Sequence, residues 1–482
     1  MLFNSLEFAV FLSVVFLLYW FVFNRSVKGQ NLFVLVASYV FYGWWDWRFM
    51  LLLAFTSAFS FGCGLWIDKY RGTPRKAQLF SALNIVVNLL ILGLFKYYDF
   101  FATSFANAFL GGKTEGLLLK LVLPVGISFY TFKALSYGID VYRGKLEPTR
   151  DVVQYFAYVG FFPQLLAGPI ERATNLLPQL AKPRTFDYGM GVDGMRQILW
   201  GLFKKVVIAD GCAVYVDKVF QSYQEQSGST LLLAVILYTF QIYGDFSGYS
   251  DMAIGTGKLF GFTTMPNFKM PYFSRNIAEF WRRWHISLTT WFRDYVYIPL
   301  GGSRCSKARI VRNTFVIFLL SGLWHGANWT FIAWGAYHAL LFLPLILLGK
   351  NRKYRDNVAH DRLLPSLKES GQMLLTFFLV VIGWILFRAD SIGQALDYCS
   401  HLVSIDIFSV PWLISRRYYI PLFACIVMMV ILEWDQRGKE HGLQGGKLPK
   451  MMIRVLCFVV SILVLTCFLT QEGDSSFIYF QF

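Results

Sequence analysis

Solid apolar runs, most of them about as long as a bilayer-crossing helix, alternate with short polar connectors along this chain. They fall near residues 7–23, 30–45, 49–66, 78–97, 119–142, 152–169, 197–219, 230–247, 314–348, 371–387, 418–433 and 453–470. About 20 residues of helix cross a hydrocarbon core of ~30 Å, and the run 314–348 has length for two passes or one broken helix. The pattern predicts an all-α, polytopic integral membrane protein with about 11–13 transmembrane or re-entrant helices. Strands of a membrane barrel would instead alternate in segments of roughly ten residues. The first run, MLFNSLEFAVFLSVVFLLYWFVF, lacks a basic leader and a small-residue cleavage site, so it reads as a retained first span.

One segment breaks the pattern. Residues 269–313 carry too many charges to span, yet are rich in Trp, Tyr and Phe. In helical register Ile277, Phe280, Trp284, Leu288, Trp291 and Tyr295 form one stripe, with Arg282, Thr289 and Arg293 opposite. The spacing predicts an amphipathic helix over 276–300 lying in the membrane interface, rings at headgroup depth and arginines in water. His285 falls at the edge of the stripe.

Composition agrees with this reading. Hydrophobic residues make up 56% of the 482, aromatic ones 18% and charged ones 15%, where soluble domains carry about 25% charged. The net charge of +16 resides in short loops between runs, which reads as orientation signals and lipid-headgroup contact and not as nucleic-acid binding. The connectors NRSVKGQ, DKYRGTPRKA and RGKLEPTRD hold two, four and three Lys/Arg, against one each in the alternating connectors. The positive-inside rule therefore places loops 24–30, 67–77 and 143–151 in the cytoplasm and the N-terminus outside. Seven scattered cysteines without a C-x-x-C pair predict reduced thiols, with neither a disulfide frame nor a metal site.

Candidate chemistry centres on histidine. From Asn313 to Gly349 there is no Asp, Glu, Lys or Arg, yet SGLWHGANW sets His325 in the middle of this run. Ionisable groups inside spans are costly and mark polar cavities or reaction paths. Gly322 and Gly326 flank it and leave room for a substrate or another backbone. His338 follows 13 residues later, about 220° around an ideal helix, so in one continuous helix the two would not share a face. His360, His401 and His441 sit in polar or mixed stretches. Asp245 and Asp251, in YGDFSGYSDMAIG, suit either a polar cavity or ordinary helix-end caps. Neither G-x-S-x-G nor H-E-x-x-H occurs, and GTGK at 255–258 is no phosphate loop, with Met252 and Leu259 at its key positions.

FWRRWHISLTTWFRDYVYIPLGG and LSGLWHGANWTFIAWGAYH together resemble the membrane-bound O-acyltransferase family, over nearly the whole chain. MLFNSLEF, SYVFYGWWDWRF, PQLLAGPIERATNLLPQL and the ending FIYFQF are similar to its bacterial alginate O-acetylation branch. The resemblance implies one transmembrane domain over 1–482, helices ringed around a central tunnel, with 314–348 as the catalytic-histidine span. It implies His325 as the catalytic residue and His285 as the second polar position, with Trp284, Trp324, Asn328, Asn276 and Asp245 on the tunnel wall. Arg282, Arg283 and Arg293 would meet the donor's phosphates or simply anchor the interface. Neutral imidazole suits proton removal from a sugar hydroxyl near pH 7, while His285 would polarise the donor carbonyl or position His325. The implied donor is acetyl-CoA or another acyl thioester, with no resident cofactor and no metal. The implied partners are membrane lipid and a periplasmic acetyltransferase or polysaccharide, at the inner membrane with the N-terminus periplasmic. A transporter or channel for an acylated carrier, or a D-alanyl transferase, are the rival readings.

Overall fold

The computed structural model describes residues 1–412, 416–445, 449–470 and 477–478. Of the FIYFQF ending, only Phe477 and Ile478 lie among them. The described residues are helical or irregular, with no strand. Among the described residues, seven helices are long and apolar enough to cross a membrane: 47–69, 74–109, 228–259, 329–347, 367–388, 418–435 and 450–469. Other apolar runs fold as shorter or broken helices, among them Leu6–Val22.

The chain divides into two compact units. Unit 1 comprises Met1–Met195 and Ala253–Met265. Its helices are α1 (Leu6–Leu17), α2 (Val27–Gly43), α3 (Trp47–Lys69), α4 (Pro74–Leu92), α5 (Tyr98–Phe109), α6 (Ile127–Tyr142), α7 (Val152–Gly160), α8 (Phe162–Leu165), α9 (Ala173–Ala181) and the start of α10 (Tyr188–Leu202). Small and amide side chains line its helix contacts, as expected where no hydrophobic force separates helix from lipid. Asn88 donates to Ser60 at 3.1 Å and Asn84 to the Ala134 carbonyl at 3.3 Å. A Cβ at Gly64 would strike the Tyr137 ring.

Two expected spans are corrected here. The run 119–142 becomes helical only at Ile127. Ahead of it the Asp99 carboxylate takes the Leu119 and Lys120 amides at 2.8 and 3.0 Å, and Gly126 is left-handed at φ +77°. A Cβ there would collide with the Leu165 carbonyl. The run 152–169 breaks at Phe161, which leaves the helical region at ψ 105° ahead of Phe162–Pro163, and the Phe162 amide donates to Ser38 Oγ at 3.1 Å.

Unit 2 comprises Arg196–Met252 and Pro266–Phe482. It holds α11 (Asp210–Gln221), most of α12 (Gly228–Leu259), α13 (Ile277–Arg283), α14 (Ile286–Phe292), α15 (Lys307–His325), α16 (Trp329–Leu347), α17 (Leu367–Arg388), α18 (Ile392–Leu402), α19 (Arg416–Asp435) and α20 (Lys450–Thr470). Although apolar enough to span, α12 is a core helix: 78% of its most apolar window is buried, against 11% for α20. The run 314–348 is two helices, α15 and α16, turned at Gly326–Asn328. Gly322 and Gly335 let them approach to backbone contact, since a Cβ at either would strike the Phe331 or Phe318 carbonyl. The room at Gly322 thus serves another backbone.

The single helix expected over 276–300 is also corrected. The chain forms α13 and α14, broken at His285, then a π-helical turn at Arg293–Tyr297. Ile277, Phe280, Trp284, Leu288 and Trp291 are buried and Arg282 and Arg293 exposed, so the stripe holds while the helix does not.

Buried ion pairs fix α12. A π-helical stretch, Phe203–Ala209, is buried at every residue, which turns two successive lysines inward. Lys204 Nζ lies 2.5 Å from Asp251 and 2.8 Å from Ser247 Oγ. Lys205 Nζ lies 2.7 Å from both Asp210 and Asp245, and Asp245 also accepts the Ile478 amide at 2.9 Å. Removing one member of a buried ion pair typically costs about 3–5 kcal/mol. Lys205→Met should therefore lower the thermal unfolding midpoint in detergent sharply, and adding Asp245→Asn should recover part of the loss. An unchanged midpoint for Lys205→Met would show that the triad does not hold α12.

Candidate functional site

Unit 2 brings His285 and His325 together. Their rings lie 6.2 Å apart, centroid to centroid, with 1% and 3% exposure. His325 ends α15 and reaches the centre because the α15–α16 turn follows immediately. Its ring packs edge-on against Trp324 (5.1 Å), Trp334 of α16 (5.2 Å) and Phe387 of α17 (5.3 Å).

His285 is delivered differently. It sits between α13 and α14 in the left-handed region, φ +43° and ψ 54°, at a cost of roughly 1–2 kcal/mol for a residue with a Cβ. Neighbouring chain offsets this. The Ile286 amide donates to the Asn267 carbonyl at 2.8 Å, and the Lys269 amide to the Arg283 carbonyl at 2.9 Å. His285 Nδ1 lies 3.0 Å from Asn267 Oδ1. Phe246 of α12 (4.6 Å) and Trp324 (5.5 Å) cover the ring edge-on. The residue lies outside the seven candidate spans, and burial pushes its imidazolium below the usual histidine range.

His338 joins the same aromatic wall. Trp334 contacts both it and His325, at 5.0 and 5.2 Å. The 220° separation does not apply, because the run is two helices. His360 is exposed beside Asp361, while His441 is buried despite its polar surroundings in sequence.

Of the other expected wall residues, Trp324 touches both imidazoles. Trp284 backs the site against Phe268 and Trp384, each at 5.0 Å. Asn276 and Asn328 are helix caps, accepting the Glu279 and Thr330 amides at 2.8 and 3.1 Å, and Asn328 also donates to the Asp390 carbonyl. Asp245 belongs to the Lys205 triad. The arginines separate too. Arg283 is buried, 2.9 Å from Glu279 and bonded to the Lys269 carbonyl and Asn357, so it is committed internally. Arg282 donates to the Asn351 and Tyr354 carbonyls, and Arg293 pairs with Asp294 at 2.7 Å; both remain exposed.

Asn267 is the residue sequence reasoning missed. It lies 18 positions before His285, in TTMPNFKMP, which shows no period to read. Among the described residues, no cluster of three or more His, Cys, Asp or Glu forms a metal site. Chemically, the centre offers two buried imidazoles within an aromatic shell, their ring centroids 6.2 Å apart.

Known proteins give this geometry a context. A family model described as MBOAT, membrane-bound O-acyltransferase family, matches residues 34–353. The chain is 44% identical over 396 residues to the protein named "Probable alginate O-acetylase AlgI" of Pseudomonas aeruginosa, covering 82% of this chain and 73% of that one. It is 42% identical over 492 residues to the protein of the same name from Azotobacter vinelandii, covering 94% and 95%. With the peptidoglycan O-acetyltransferase of Helicobacter pylori it shares 32% identity over 528 residues, covering 100% and 98%. The all-helical chain, with its buried histidine pair, is a multi-pass membrane acyltransferase that belongs to the membrane-bound O-acyltransferase family.

Proposed function

We propose that the chain takes acetyl groups from a cytoplasmic thioester, acetyl-CoA, and passes them across the inner membrane for O-acetylation of an extracytoplasmic polysaccharide such as alginate. The observation that carries this reading is the buried His285–His325 pair at 6.2 Å. The relatives' names point the same way. His325 is the base. As the acceptor hydroxyl attacks the thioester carbonyl, its proton passes to the His325 imidazole. The tetrahedral intermediate then collapses, the carbon–sulfur bond breaks, and the leaving thiolate takes that proton. Water exclusion by the aromatic shell protects the thioester from hydrolysis.

The acceptor hydroxyl belongs to the sugar itself or to a periplasmic acetyltransferase that hands the group on. Of the three arginines, Arg282 and Arg293 are exposed, which supports them as contacts for the donor's phosphates, whereas Arg283 is buried. A transporter for an acylated carrier would not call for relatives that are named as acetyl-transferring proteins, and relatives named for D-alanyl transfer are more distant, at 29% identity over 56% of the chain.

His325→Ala should reduce polymer acetylation by at least about 10²-fold, the lower end of general-base contributions. His325→Gln, which keeps hydrogen bonding but takes no proton at neutral pH, should be comparably inactive. Acetylation would be measured in cells, with protein level and gel-filtration profile as controls. Near-normal acetylation by a well-expressed His325→Gln variant would mean that another residue is the base.

The orientation has its own test. Loops 24–30, 67–77 and 143–151 are assigned to the cytoplasm and the N-terminus to the periplasm, from the basic-residue asymmetry. Gly72 is exposed, with no atom near enough to meet an added Cβ. A cysteine placed there should resist an impermeant thiol reagent in cells with a permeabilised outer membrane. Labelling before lysis would reverse the topology.

A further inference from the structure

Asn267 Oδ1 is crowded with donors. It accepts the Ser287 backbone amide at 3.3 Å and the Ser287 hydroxyl at 2.9 Å, and lies 3.0 Å from His285 Nδ1. At its other end, Nδ2 donates to Ser250 Oγ of α12 at 3.0 Å. A backbone N–H can only donate, so the Ser287 amide settles which end of the Asn267 side chain is oxygen. An amide oxygen can only accept, so the proton of the His285–Asn267 bond sits on Nδ1. In the neutral ring the lone pair is then on Nε2. That nitrogen is buried and has no hydrogen-bond partner among the described residues.

We propose that Asn267 is a positioning residue that holds His285 as the Nδ1–H tautomer, so that His285 serves the reaction through an Nε2 that accepts a hydrogen bond and cannot donate one. This rests on the reading of His325 as the base. It also reverses one sequence expectation, because an Nε2 without a proton cannot polarise a thioester carbonyl oxygen. Its partner has to be a donor. Once His325 has taken the hydroxyl's proton, it carries N–H on both nitrogens, and the His285 lone pair stabilises that imidazolium across the gap. The ring separation of 6.2 Å exceeds a direct N–H···N contact by about 1 Å and is close to the spacing of two rings bridged by one oxygen. The interaction therefore tightens only when a reacting group is bound or the rings close slightly. When the thiolate leaves with the proton, His325 is neutral again and the pair is reset.

The test exploits what faces His285. Phe246 and, through Asn267, Ser250 come from α12, Phe268 from the preceding loop, and Trp324 and His325 from α15. Among these His325 carries the only other imidazole. Asn267→Asp keeps the Oδ1 contacts but puts a carboxylate on Nδ1–H, making Nε2 a stronger acceptor. Acetyl-CoA-dependent transfer by the purified variant should persist, with the acidic limb of its pH–kcat/KM profile raised by about one unit. Asn267→Leu frees the tautomer, so kcat should fall by at least about tenfold, with KM for acetyl-CoA within about twofold. Gel filtration reports whether Asn267→Leu folds; if it does not, the profile of Asn267→Asp decides alone. An unshifted profile for Asn267→Asp, or wild-type kcat in folded Asn267→Leu, overturns the proposal while leaving His325→Gln inactive and the acyltransferase reading intact. A fully active His325→Gln overturns both.

Discussion

The ion pairs that fasten α12 underlie everything built around the histidines. In an interior this buried, each Lys–carboxylate contact of the 204–210 stretch has to be complete, because a lone buried charge is far costlier than a lost apolar contact. The arrangement divides α12 by face. Ser247 and Asp251, four residues apart, both meet Lys204, and Phe246 and Ser250, also four apart, serve His285 and Asn267. One row of the helix fixes its position and the adjacent row shapes the site. Gly201 and Gly248 give the close approach, since a Cβ at either would strike the other's carbonyl.

The two histidines reach the same place by opposite means. His325 arrives as the end of a regular helix whose partner is held at backbone contact by Gly322 and Gly335. His285 arrives on a break, held in a left-handed conformation by bonds to a neighbouring loop, residues 267–269. Strain of this kind persists only where surrounding contacts over-determine it, and it concentrates at functional positions. Here the contacts that hold the backbone also set the ring's tautomer. Geometry and protonation are therefore one feature of the site.

Much of this was legible in the sequence, and the failures have distinct causes. Span-length apolar runs announced the helical membrane class, and an imidazole in a run free of charge announced His325. Pattern could not show where runs break. Breaks at Phe161 and His285 depend on partners from elsewhere in each unit, Ser38 for one and Asn267 for the other. The stripe over 276–300 sorted its buried and exposed side chains correctly even though the helix is interrupted, because polarity follows burial and not the continuity of hydrogen bonding. Arg283 was read as a surface cation, yet Glu279 four residues earlier was a readable partner. Asn267 had no comparable signal. Its importance lies wholly in which atoms meet it, which no period or spacing encodes.

Burial gives the chemistry its direction. In the proposed mechanism an aromatic shell keeps imidazole neutral and ready to accept a proton, and keeps water away from a reactive thioester. The same shell would suit a conduit if no bond were broken inside it, so the decisive quantity is bond cleavage. Purified protein in nanodiscs, given acetyl-CoA labelled in the acetyl group and an alginate-type oligosaccharide, should release free thiol only when the acceptor is present. One labelled ester should form on the sugar per thiol released. Acetyl-CoA binding with no thiol release under any acceptor, while the acylated carrier crosses sealed vesicles intact, would contradict the account.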